Sequence, residues 1–130
     1  MQQTQRDVQS PNTDNALTFV KNLYQYVDNK DINALAECLS EKVKFRIGNY
    51  DMLQGKEAVL QANTAFFTSI SSMRHQITTT WVQDQDIICH GQVHYVRLDN
   101  STHTVPFATV LQLHQGKIDN YLVFVDLSEL

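Results

Sequence analysis

Three of the chain's five histidines lie in one stretch, residues 73–96, MRHQITTTWVQDQDIICHGQVHYV. Histidine trades protons near neutral pH, so two that meet across a hairpin could act as general acid and base. Three could hold a zinc ion with an open fourth position. His90 and His94, however, stand about 13 Å apart along an extended strand, and no metal is expected. Two strand-like runs flank a turn centred near Asp84 and Gln85. In an antiparallel hairpin, residues equidistant from the turn oppose each other, which places His75 opposite His94. Such pairs share a face, with Cβ atoms about 4.5–5.5 Å apart. An unbroken register would gather His75, Ile77, Thr79 and Trp81 with His90, Gln92 and His94 on one side. A slip of a single residue would separate them.

Upstream, helical spacing carries the pattern. After Thr13 and Asp14 as candidate caps, Leu17, Val20, Leu23, Tyr24 and Val27 recur on one helical face, and the helix closes near DNK. Asp31 caps a shorter helix with Ile32, Leu35, Ala36 and Leu39. KVKFRI alternates Val43, Phe45 and Ile47 as a strand, and GNYD is a turn. Gly55 precedes a third helix with Val59, Ala62, Phe66 and Ile70 on one side. Four long strands follow over residues 74–82, 87–98, 103–113 and 117–125. Helices packed on one face of an antiparallel meander make an α+β domain. A strongly curved sheet closed by helices leaves a pocket between the layers.

The 130 residues are enough for one domain, and 42% hydrophobic content can build its core. A polar tail is expected over residues 1–12 and a single domain over 13–130. The formal net charge of −4 and the scattered lysines and arginines disfavour nucleic acid and an anionic membrane surface as partners. No run approaches the roughly 20 apolar residues that span a bilayer, and the first residues lack the apolar core of a secretory signal. Cys38 and Cys89 make neither a disulfide framework nor a CxxC pair, which fits buried thiols in a reducing cytoplasm.

The order and spacing of DNKDINALAECLSEKVKFRI, MLQGKEAVL, MRHQITTTWV and VPFATVLQLHQGKIDNYLVFVD resemble the SnoaL-like family of the nuclear transport factor 2-like superfamily. The likeness covers the chain from about Asp14. Its marks are Asp28 closing helix one, GKEAV at 55–59, Arg74, His75 and Ile77 opening the first long strand, GKI at 116–118, and Asp126. The resemblance implies a cone-shaped fold, three N-terminal helices on a curved antiparallel sheet enclosing a pocket. It also implies a homodimer through the sheet's outer face and a small-molecule ligand.

Three enzyme patterns of this fold can be laid on the chain. The ketosteroid isomerase positions fall on Leu23, Phe45 and Ala108, and its catalytic groups are absent. Those of the limonene epoxide hydrolases fall on His90, Gln92 and Val123. That trio is also lost, although the mapping turns His90 and Gln92 into the pocket. The scytalone dehydratases share DNKD and RHQI. Their aspartate corresponds to Asp28 and their first histidine to His75. Their second histidine corresponds to His94 by hairpin pairing, or to Arg97 by ungapped counting, and the choice between His90 and His94 as second pocket histidine stays open. Family polar groups are replaced by Ile47, Phe107 and Thr109. With Tyr24, one helical turn before Asp28, and Tyr121, these positions make the expected pocket lining. The resemblance implies a cofactor-independent dehydratase or isomerase in which Asp28, His75 and His94 perform acid–base chemistry on a small apolar or cyclic carbonyl or hydroxyl compound. The alternative is a non-catalytic ligand-binding or dimerisation module.

Overall fold

The computed structural model describes residues 11–130, with side chains from Thr13 onward. The elements run α1 (Pro11–Asp28), α2 (Ile32–Cys38), β1 (Leu39–Ile47), β2 (Leu53–Gln54), α3 (Lys56–Thr68), β3 (Ser72–Gln83), β4 (Asp86–Val96), β5 (Thr102–His114) and β6 (Lys117–Val125). The tail expected over 1–12 lies outside the described residues as far as position 10. Because α1 already begins at Pro11, Thr13 and Asp14 sit in its first turn rather than capping it; proline's fixed φ suits a helix start. Asp31 does cap α2, accepting from the Ala34 N–H at 3.1 Å. None of the described helices is long and apolar enough to cross a membrane.

The six strands form one sheet in the order β2-β1-β6-β5-β4-β3. The expected antiparallel meander holds for β3 to β6, but β1 joins β6 in parallel, so the sheet is mixed. The parallel pair follows from chain order: α3 and three long strands separate β1 from its partner, and the return brings β6 in alongside. The helices cover one face of the sheet. Val20, Leu23, Tyr24 and Val27 of α1 are buried there with Val43, Phe45, Val93, Phe107, Leu111 and Tyr121 of the sheet. In α3 the buried stripe is Val59, Asn63 and Phe67. It lies one residue beyond the expected Ala62 and Phe66, which face the edge of the core instead.

The register of the first hairpin decides where the histidines point. Near the turn, Thr79 pairs with His90 and Gln83 with Asp86, as equidistance requires. Between Ile77 and Thr79 the register shifts, leaving Thr78 as a bulge. Beyond it, Arg74 pairs with His94 and His75 with Val93. Gly91 sits opposite this bulge. A Cβ there would lie 1.9 Å from the Gln76 carbonyl oxygen, so only glycine lets the two backbones approach this closely.

Candidate functional site

Asp28 is the last residue of α1, and the turn that follows holds it over the start of β3. Lys30, at φ 56°, donates from Nζ to the carbonyls of Ile70 (2.9 Å) and Ser71 (3.0 Å), fastening the helix end to the residues that lead into β3. β3 is an edge strand. Asp28 takes one of its free backbone donors: the His75 N–H reaches Oδ2 at 2.9 Å. The other oxygen, Oδ1, lies 2.6 Å from His75 Nδ1. One carboxylate therefore holds both the main chain and the ring of the same residue. The two side chains are 8% and 20% exposed, so the contact is shielded from water.

Held in this way, the neutral His75 ring carries its proton on Nδ1 and leaves Nε2 as an acceptor. The ring packs beside Tyr24, with centroids 4.4 Å apart, and edge-on to Phe107 at 5.0 Å. It borders a narrow cavity of about 30 Å³, room for about one water molecule. Tyr24, Phe45, Ile47, Phe107, Tyr121 and Val123, all expected in the lining, border it as well. Thr109 lies fully buried behind it, hydrogen-bonded through its hydroxyl to Tyr24.

The remaining expected site residues lie elsewhere. The Thr78 bulge turns His94, His90 and Gln92 onto the opposite, outer face of the sheet, so His94 is not across from His75. His94 Nδ1 sits 2.9 Å from the Thr104 hydroxyl, and Nε2 is 3.4 Å from Gln76 Oε1. His90 stacks on Trp81 at 5.4 Å. Arg97, the other candidate for the second histidine's role, binds Ser101, the Thr102 carbonyl and, at 2.6 Å, the Glu129 carbonyl. It fastens the C-terminal segment. Among the described residues, no three His, Cys, Asp or Glu side chains converge as a metal-binding group.

Two polar groups that the sequence reading missed line the cavity instead. Tyr95 and Asn63 border the cavity with His75. Tyr95 alternates with Val93 on β4, so it faces inward because His94 faces outward. Asn63 interrupts the apolar stripe of α3, and its Nδ2 donates to the Val59 carbonyl at 2.9 Å. That polar residue at core spacing was the available signal. Burial, with the nearby Asp28 charge adding to it, pushes the Tyr95 hydroxyl up to about 12. Burial also raises Tyr24 and Tyr121 well above the ordinary phenol value, and pushes the Cys89 thiol up to about 12. All four stay protonated at neutral pH. Tyr24, Tyr95 and Tyr121 thus border the cavity as neutral phenols beside His75.

A SnoaL-like domain matches residues 20–121 of the chain. Among solved structures, a candidate SnoaL-like polyketide cyclase from Jannaschia sp. is similar at 15% identity, covering 91% of this chain and 90% of that one, with a TM-score of 0.79. A Burkholderia pseudomallei NTF2-like protein of unknown function superposes with a TM-score of 0.80 at 16% identity, over 88% of this chain and 93% of the other. An LEH-like epoxide hydrolase from M. tuberculosis aligns at 10% identity and a TM-score of 0.75, over 86% and 83%. No curated protein matches by sequence. At such identities the structures speak for the fold, and the domain match for the family: this chain belongs to the SnoaL-like domain family and has the nuclear transport factor 2-like, α+β fold.

Proposed function

We propose that the protein is a cofactor-independent acid–base enzyme, a dehydratase or isomerase of a small apolar or cyclic carbonyl or hydroxyl compound. The observation that carries this reading is the grip of Asp28 on both the N–H and Nδ1 of His75. It sets the tautomer and leaves Nε2, on a ring that borders the cavity, as the proton acceptor. Nε2 removes a proton from the carbon beside a carbonyl. The resulting imidazolium returns it to another carbon, giving isomerisation, or to a departing hydroxyl, giving an alkene and water. Tyr95 and Asn63 border the same space and can hold the substrate oxygen. His94 has no part in this scheme.

The test is hydrogen–deuterium exchange of cyclohexanone and β-hydroxy ketones in D2O, followed by NMR, with loss of water from the latter followed by mass. His75→Gln should lower the rate by about 10²–10⁴. An unchanged rate in that variant would remove the proposal.

A second reading keeps the pocket as a binding site without turnover. The small volume beside His75 favours it, since a ligand could bind outside that space. In either reading we infer a homodimer of two copies meeting at the sheet's outer face. There Trp81, Ile88, Val110 and Leu122 are paired in one row across β3 to β6. Trp81, Ile88 and, in the neighbouring row, Phe124 are 50%, 42% and 47% exposed. A contiguous apolar patch of this kind marks an interaction site. The free, buried Cys38 and Cys89 agree with a cytoplasmic setting.

A further inference from the structure

The space beside His75 holds about 30 Å³, while a second chamber just outside it holds about 550 Å³. The first has room for about one water molecule or one small polar group; the second is the size of a site for a whole small molecule. Phe45, Ile47 and Phe66 border both. Phe66 reaches the partition from α3, half-buried, with its ring edge-on to Tyr95 at 6.1 Å. The rest of the outer lining is apolar or small, from Leu53, Ala62, Ala65 and Ser69, with Tyr50 and Asp51 at the rim. Among the described residues, Asp51 is its one carboxylate and no lysine or arginine lines the chamber.

We propose that the ligand is an uncharged molecule whose apolar body sits in the outer chamber, and that only one oxygen-bearing group passes Phe66 to reach His75. This rests on His75 being the reactive group. The volumes argue for the division: about 30 Å³ beside His75 suits one polar group, and about 550 Å³ beyond Phe66 suits the body of a molecule. The lining selects the class. An anion would lose its hydration in an apolar chamber and meet Asp51 with no cation to pair with. An uncharged apolar body loses nothing by entering. Phe66 then sets how bulky the reacting end can be.

The uncharged dye N-phenyl-1-naphthylamine, titrated by fluorescence and competed by naphthalene or 1-naphthol, tests this directly. Ala65→Trp and Ser69→Trp, two exposed helix-end positions that tolerate bulk, each fill the chamber and should weaken the dye about tenfold. Circular dichroism should show both variants folded. His75→Gln should leave dye affinity within about twofold but abolish the advantage of 1-naphthol over naphthalene. Phe66→Ala should let bulkier aromatic alcohols compete. Dye binding that is absent from the wild type, or unaffected by both tryptophans, overturns the outer-chamber assignment and leaves the Asp28–His75 pair untouched. A naphthol advantage that survives His75→Gln overturns the reading of His75 as the polar contact and leaves the chamber standing.

Discussion

Gly91 and Gln76 meet across the first hairpin so closely that a Cβ on the glycine would fall 1.9 Å from the Gln76 carbonyl oxygen. That contact is backbone on backbone, so no side chain can move aside to relieve it. Gly91→Ala should therefore force the bulge open and destabilise the protein by at least about 2–3 kcal/mol, the cost of overpacking a closed site. Urea denaturation measures it. A loss below about 0.5 kcal/mol would mean that the strands part easily there.

The bulge also sorts the histidines. His90→Ala and His94→Ala change the outer face only, where they remove the stack on Trp81 and the contact with Thr104, and should shift folding stability by about 1 kcal/mol or less. Neither should alter the exchange rate of a ketone probe beyond about twofold, whereas His75→Gln should lower it by about 10²-fold or more. Parallel NMR exchange assays of the three variants decide it. An equal loss in His94→Ala would restore the two-histidine arrangement.

Asp28 should be visible in the tautomer of its partner. In the neutral ring the Nδ1 proton points at Oδ1, 2.6 Å away, so nitrogen-15 shifts from long-range correlation spectra should report one tautomer, protonated at Nδ1. Asp28→Asn offers an amide that can donate as well as accept, and the spectrum should become a mixture or invert. An unaltered tautomer would show that Asp28 does not orient the ring.

Alkaline pH should unfold the protein through its buried acids. Cys89 and Tyr95 hold their protons up to about 12 in the folded state, against about 8.5 and 10 for a thiol and a phenol in an unfolded chain. Below about pH 8.5 both states are protonated and these groups give no slope. Above about pH 8.5 for Cys89, and above about pH 10 for Tyr95, the unfolded chain releases a proton that the folded chain keeps, so stability falls as pH rises, by about 1.4 kcal/mol per pH unit for each group. Cys89→Ala should remove one such increment between about pH 9 and 12 in a pH series of urea melts. A slope identical to wild type would place that thiol in contact with water.

Replacing the apolar row on the outer face tests the dimer. Trp81→Glu and Ile88→Lys should convert a dimer to a monomer in light scattering, with helix content unchanged, since both side chains are largely outside the core. A wild-type monomer at high protein concentration would exclude that interface.

Most of the architecture could be read from periodicity. Helical spacing of Val20, Leu23, Tyr24 and Val27, and alternation on β4 to β6, are local properties, and they located every long element. Family likeness then brought Asp28 and His75 together, because it carries contacts between distant segments that periodicity does not. Besides the start of α1 and the buried stripe of α3, which lies one residue beyond the expected one, two larger features escaped. The parallel pairing of β1 with β6 depends on the path of the whole chain, which no local pattern encodes. The orientation of His90, Gln92 and His94 depended on one unpaired residue, Thr78, in a run of three threonines where alternation gives no phase. Gly91, alone inside a strand, was the mark of the bulge: a glycine there often means two backbones in close contact. Read that way, it moves Tyr95 into the pocket in place of His94.

The bond from the His75 N–H to Asp28 has a consequence outside the pocket. β3 closes one side of an open sheet, and an exposed strand there is a template on which another chain can add. The carboxylate that aims the imidazole also occupies one of the donors such a chain would need. Substitutions that free position 28 would therefore strip protection from the strand as well as disarm the ring. Inactive Asp28 variants should be the ones that aggregate on storage, and surface redesign elsewhere would not rescue them.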